Sequence, residues 1–350
     1  MVARAGKRPA LATQPAWAPR QALTVLAAVP VRRGAFDTHP RFWYTAAAEG
    51  VSWLKRLLTR GAAVPGPGVL PFRTVAIVGV GLIGGSLGLA LRAGKLARRV
   101  IGVCRRQAAL ERAVALGAVD EGTLDLAAGV AEAELTVLAT HVGAMPLLAQ
   151  GAVAAMPRGS LMTDVGSTKG RLVRALAQAA GTRVRYVGSH PMAGSEKRGV
   201  EEAVQGLFQG ATCFVTPTAQ SDPLAVNAVS DLWRALGGRV RLIDPDEHDR
   251  LVAVASHLPH LVAAALVNVA TPEAIACAGS GFRDTTRVAS GDPRMWTDVC
   301  LENRRRVLEA LDCFEREMAT LHRILAAGSE SELLAWLESA KAVRDNHLHP

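Results

Sequence analysis

Serine is almost missing from the first 73 residues, where Ser52 stands alone, and acids are nearly so, with only Asp37 and Glu49. A mitochondrial or plastid transit peptide would be basic and acid-poor, but also serine-rich, so none is expected here. The short apolar stretch Ala22 to Val31 runs into Arg32-Arg33 without a small-residue cleavage site, which argues against a secretory signal. No uninterrupted apolar run approaches the roughly 18 residues of a membrane span. Cysteines number only five, are scattered, and show no C-x-x-C spacing, so neither a disulfide framework nor a zinc site is expected, and no other metal. A reducing, cytoplasmic setting fits. Aromatic residues make up 4%, yet aliphatic side chains are plentiful and charged ones stand at 20%, a globular balance.

The net charge of +9 is unevenly placed. Residues 1–73 hold eleven Lys/Arg against two acids, and the remaining residues carry 29 charges of each sign. A nucleic-acid binder usually shows its basic stripe on the folded domain. Here the excess lies in the tail, so neither a nucleic-acid nor a membrane partner is expected. Residues 1–69, rich in Ala, Pro and Arg and closing with breakers at Val64-Pro65-Gly66-Pro67-Gly68, read as a basic, disordered extension. Phe42 to Leu58 could form a short amphipathic helix within it, and a native start near Val69 is a further expectation, checked by intact mass.

From Arg73 the texture changes. Apolar, β-branched runs at Thr74 to Val78, Arg99 to Cys104, Leu135 to Thr140, Ser160 to Asp164 and Val184 to Ser189 alternate with helical patterns. That alternation predicts a Rossmann-type, doubly wound α/β fold with a mostly parallel sheet. Strands at Cys213 to Thr216 and Val240 to Ile243 extend it around a helix at Leu224 to Leu236. After Asp244 the pattern is all-helical, with one helix expected to start at Pro259. The expected domains are therefore 70–244, which binds a dinucleotide, and 245–350, a helical substrate and dimerisation domain. Val307, Leu311, Phe314, Met318, Leu321 and Leu325 recur at helical spacing as core or subunit interface.

Gly79-Val80-Gly81-Leu82-Ile83-Gly84 falls between the first strand and first helix. In that context Gly79 permits the tight turn, Gly81 the approach of a pyrophosphate, and Gly84 close packing of helix on strand. The helix N-terminus, from Leu82 and Ile83 onward, offers free N–H groups to phosphate. An NAD site expects an acid about 20 residues on. Cys104 is instead followed by Arg105 and Arg106, which could hold a 2′-phosphate, so NADP is favoured over NAD.

Three further segments lie where packing alone does not call for them: Asp164-Val165-Gly166-Ser167-Thr168-Lys169, then Gly188 through Lys197, and then the helical-region set from Ser256-His257-Leu258-Pro259-His260 to Asp292-Pro293-Arg294-Met295-Trp296. Together, over Thr74 to Asn303, they resemble the prephenate/arogenate dehydrogenase family. The most specific element is His190-Pro191-Met192-Ala193-Gly194, followed by Glu196 and Lys197. The resemblance implies that His190 is the catalytic base, that Ser167 hydrogen-bonds beside it, and that Arg287 binds a substrate carboxylate. It also implies that His260 lines the substrate pocket and that the helical domain forms a homodimer. His257 and Trp296 are candidate pocket residues, Glu196 and Lys197 a gating or orienting ion pair, and Thr140 a cofactor contact. Where the family commonly has Thr-Pro-Val, this chain has Thr140-His141-Val142, read as a loop variant. The implied reaction is oxidative decarboxylation of prephenate, with arogenate as the alternative substrate. No appended regulatory domain or fused mutase is expected, so any feedback by tyrosine would act at the active site. Two rivals share the fold. A 3-hydroxyacid dehydrogenase would need a helical-domain lysine, and Lys341 is the only lysine after Lys197. A cofactor sensor would have no use for His190, Ser167 and Arg287 together.

Overall fold

The computed structural model describes residues 70–347, so the readings placed on residues 1–69 lie outside it. Eight strands form one sheet: β1 (Phe72–Val78), β2 (Ala97–Val103), β3 (Glu121–Thr123), β4 (Leu135–Leu138), β5 (Leu161–Asp164), β6 (Arg185–Pro191), β7 (Thr212–Thr216) and β8 (Arg239–Leu242). Their order is β3-β2-β1-β4-β5-β6-β7-β8, parallel through β6, with β7 antiparallel to β6 and β8 parallel to β7. A run such as Val75-Ala76-Ile77-Val78 is apolar at every position because helices cover both faces. Val75 and Ile77 pack into one core cluster, Ala76 and Val78 into the other. The short edge strand β3 escapes sequence reading, since its residues Glu-Gly-Thr carry no apolar signal.

The strand order reverses between β1 and β4, and ligands of such sheets bind in the crevice outside the strand ends there. Helix α1 (Leu82–Ala93) follows β1 and α2 (Gln107–Ala115) follows β2. Helices α3 (Leu126–Val130), α4 (Met145–Ala155) and α5 (Gly170–Ala180) complete the crossovers, and α6 (Pro223–Ala235) joins β7 to β8.

Beyond β8 the chain is helical: α7 (Pro245–Val252), a π turn (Ala253–His257), α8 (Leu258–Val269), α9 (Pro272–Ala276), α10 (Ser280–Thr286), α11 (Pro293–Glu302), α12 (Arg304–Ala327) and α13 (Glu330–His347). Asp244 opens α7, accepting hydrogen bonds from the N–H groups of Asp246 and Glu247. Helix α8 begins around Pro259 as expected, yet it runs on unbroken from α7, with Pro259 inside the continuous run. That proline has no N–H for the usual i−4 bond, and the wider π turn just before it carries the helix through. The resulting run, Pro245–Val269, is 25 residues with a hydropathy of 1.6 over its most apolar window, of which 28% is buried. By length and composition alone it could cross a membrane, a property that the interrupted apolar pattern conceals. Along α12 only Val307, Ala310 and Ile324 are buried, while Leu308, Met318 and Leu325 face outward, as do Leu334, Leu337 and Val343 of α13.

Candidate active site

A cleft of about 530 Å³ runs along the sheet's switch point, between the glycine-rich turn and the helices beyond β8. The three glycines answer to different physical demands. Gly79 has φ of +99°, and a Cβ there would stand 2.7 Å from the Ala139 carbonyl oxygen and from Thr140 Cγ2. A Cβ on Gly84 would stand 2.1 Å from the Gly79 carbonyl oxygen, so α1 can seat on β1 only with glycine here. A Cβ on Gly81 would meet nothing within 4 Å, because it points into the cleft. Packing therefore accounts for Gly79 and Gly84, and only an approaching ligand accounts for Gly81. Gly81 is also the N-cap of α1, with no side-chain cap and no acid in the first turn. Free N–H groups and the positive helix end suit a pyrophosphate. Leu82, Ile83 and Thr140 line the same wall. Arg105 and Arg106 sit exposed in the turn between β2 and α2, outside the cleft wall proper, after the strand that pairs with β1.

His190 lies within β6, paired with Phe214 of β7, rather than in a loop beyond the strand. Its ring is buried yet borders the cleft. Nδ1 is 2.9 Å from Nε2 of His248 on α7, and Nδ1 of His248 is 2.9 Å from Oδ1 of Asp249. Burial, followed by the neighbouring His248 and the Lys169 ammonium, pushes the His190 imidazole well below its ordinary range, so it is a neutral base. His248 is pushed the same way by burial and then by Lys169. Neither His248 nor Asp249 stands out in the sequence, where they read simply as part of an acid-rich helix start.

Ser167 borders the cleft on the loop between β5 and α5. It could have served only to cap α5. Asp249 does that instead, taking the N–H groups of Lys169 at 2.7 Å and Gly170 at 2.8 Å. The loop is held at its base by a fully buried ion pair between Lys169 and Asp164. Tyr186 donates its hydroxyl to the same carboxylate at 2.8 Å, and Gly166 its N–H at 2.7 Å.

The opposite wall comes from the helices. His260 stacks on Trp296, centroids 3.6 Å apart and planes at 14°. Its Nδ1 is buried without a partner among the described residues. Arg287, just after α10, reaches across to Glu196 at 2.7 Å and remains largely exposed. Two expectations are corrected here. Glu196 and Lys197 do not pair with one another, since Lys197 bonds Glu202 at 2.8 Å while Glu196 takes Arg287. His257 lies outside the cleft: the π turn buries it behind Trp296, 3.2 Å from the Asn303 side-chain amide, and burial lowers its pKa to about 4.

A phosphate-ready turn and a neutral imidazole share one cleft on a doubly wound sheet, which defines a nucleotide-dependent oxidoreductase. The family pattern described as "Prephenate dehydrogenase, nucleotide-binding domain" matches residues 87–242, and "Prephenate dehydrogenase, dimerization domain" matches residues 244–339. The chain belongs to the prephenate dehydrogenase family. It is 35% identical to the prephenate dehydrogenase of Bacillus subtilis over 78% of this chain and 75% of that one. It is 33% identical to the cyclohexadienyl dehydrogenase of Zymomonas mobilis over 78% of this chain and 95% of that one. Among solved structures, Aquifex aeolicus prephenate dehydrogenase in complex with hydroxyphenyl propionate and NAD+ aligns with a TM-score of 0.74 at 35% identity, covering 78% of this chain and 98% of that one. Synechocystis arogenate dehydrogenase aligns at 0.68 and 30% identity, covering 79% and 100%.

Proposed function

We propose that this enzyme oxidises prephenate with loss of carbon dioxide, giving 4-hydroxyphenylpyruvate on the way to tyrosine, and uses NADP in preference to NAD. The observation that carries the reading is His190, a neutral imidazole bordering the cleft that Gly81 leaves open. Gly81, Leu82 and Ile83 would hold the pyrophosphate. Arg105 and Arg106 would hold a 2′-phosphate, there being no acid after β2 to bind a ribose hydroxyl.

Nε2 of His190 accepts the proton of the ring carbinol as the carbon–oxygen double bond forms. A bound nicotinamide would supply the acceptor for the hydride that leaves that carbon. Loss of carbon dioxide then sends its bonding pair into the ring and onto the oxygen, which regains its proton from the His190 imidazolium as a phenol. The imidazole is thus base and then acid, and no net proton leaves the site. Ser167 hydrogen-bonds at the same oxygen. Arg287 exchanges Glu196 for a substrate carboxylate, which its planar fork suits, and the unpartnered Nδ1 of His260 finds a second polar group. Arogenate differs only in bearing an amine in place of the side-chain carbonyl, and stays the alternative. The outward apolar side chains of α12 and α13 suit a homodimer, and the cytoplasm is the expected setting.

A spectrophotometric assay crossing prephenate and arogenate with both cofactors tests the reading. The highest kcat/KM is expected for prephenate with NADP; absence of turnover with either substrate would end it.

A further inference from the structure

A base needs more than a neutral ring: the nitrogen facing the substrate must be the one without a proton. Neutral imidazole carries one N–H, and which nitrogen bears it is set by the partner of the other. Nε2 of His190 has no hydrogen-bond partner among the described residues and belongs to the ring that borders the cleft. What keeps the proton off it must therefore act through Nδ1.

The chain of contacts supplies the answer from its far end. Asp249 is buried but receives three donors: the backbone N–H groups of Lys169 and Gly170, and Nδ1 of His248. A carboxylate so surrounded accepts only, so His248 must carry its proton on Nδ1. Nε2 of His248 is then a lone pair. It can only accept, so the proton between the two rings sits on Nδ1 of His190. Nε2 of His190 is left bare. Phe214 holds the His248 ring edge-on, at 5.2 Å and 88°, so the ring cannot swing away from this register. The charged and titratable groups around the pair are the Lys169 ammonium, its partner Asp164, Asp249 and His257. The ammonium and burial together keep both rings from taking a second proton.

We propose that His248 and Asp249 are positioning residues that fix His190 in the tautomer able to act as base. This inference rests on the reading of His190 given above. Neither residue lines the cleft; His248 acts on the reaction through His190, and Asp249 acts through His248 besides capping α5. Fixing a tautomer in this way is worth up to about 10⁴-fold in kcat where it has been isolated in other enzymes.

The test uses the full-length enzyme with His248→Leu and His248→Gln. Leucine offers Nδ1 no acceptor, and kcat should fall by roughly 10²–10³-fold, within the span of a lost general base. The glutamine carbonyl oxygen can accept from Nδ1, and should restore at least about tenfold of that loss. Cofactor affinity and prephenate KM should stay within about threefold of the parent for both. Equal impairment of the two variants, or of neither, would overturn the proposal. Nitrogen-15 spectra of the unaltered enzyme give a second readout that needs no variant: His190 should show an N–H at Nδ1, and one at Nε2 would refute the idea. Full turnover in His190→Asn would sink the base assignment itself, whereas an inactive His190→Asn beside a fully active His248→Leu would sink only this inference.

Discussion

Replacing two glycines of the same turn with alanine should give opposite results. At Gly84 the new methyl would meet the Gly79 carbonyl oxygen at 2.1 Å and Ile77 Cγ2 at 3.1 Å. Carbon–oxygen contacts settle at about 3.3 Å or more, so α1 would have to retreat by roughly 1 Å from the strand. Overpacking of this kind costs about 1–3 kcal/mol, and backbone is the stiffest of neighbours. With about 2–4 °C lost per kcal/mol in a domain of this size, the melting temperature should fall by about 2–12 °C. Gly81 has φ of −98° and ψ of −151°, which alanine adopts freely, and open space before it. Gly81→Ala should therefore melt at or slightly above the parent temperature, since the substitution restricts the unfolded chain. Its methyl would occupy the space assigned to the pyrophosphate. An overpacking cost of about 1–3 kcal/mol raises the cofactor Kd by about 5–150-fold. Thermal melts followed by circular dichroism and fluorescence titration with NADPH separate the two effects. Unaltered cofactor binding by Gly81→Ala would refute the seat assigned to the phosphates, and an unaltered melt of Gly84→Ala would refute the packing argument.

Three other outcomes follow from the site. His190, His248 and His257 are all held below their ordinary pKa by burial, so the unfolded chain binds more protons than the folded one as pH falls from about 6.5. Stability should be full above that pH and decline below it; His257 alone, lowered to about 4, contributes on the order of 3 kcal/mol, and urea midpoints that hold constant from pH 7 to 4.5 would contradict this. Arg287→Ala should lower kcat/KM for prephenate by about 10–150-fold, the worth of a charged hydrogen-bonded pair of about 1.5–3 kcal/mol, with cofactor Kd unchanged; an unchanged kcat/KM would remove it from substrate binding. Arg105→Ala should weaken NADP more than NAD in the same titration, and equal weakening would reverse the cofactor preference.

The sheet is legible in the sequence because parallel strands buried on both faces are written as unbroken apolar runs, and the turn after β1 because its glycines fall at fixed spacing. His190, Ser167, His260 and Arg287 stand out as polar groups that packing does not call for, and the folded chain places all four around one cleft. Other features leave no such mark. Strand β3 has no apolar residue to announce it. The π turn carries the helix past Pro259, which locally reads only as a helix start, and it turns His257, which reads as a pocket residue, into the interior. His248 and Asp249 look like the ordinary acids and polar groups of a first helical turn. Their function comes from residues that lie 58 and 80 positions away along the chain, and no local pattern records such a meeting.

The cap that Asp249 places on α5 is one of several contacts, with Arg287–Glu196 and His190–His248, that tie the two halves of the chain together. A fragment cut after β8 would keep the glycine turn, Ser167 and His190, yet would lose the group that finishes α5 along with the ring that His190 leans on. Nucleotide affinity could then be transplanted as a module, while chemistry could not. Recombining the sheet half of one relative with the helical half of another should accordingly demand that the α5–α7 seam be exchanged as one piece.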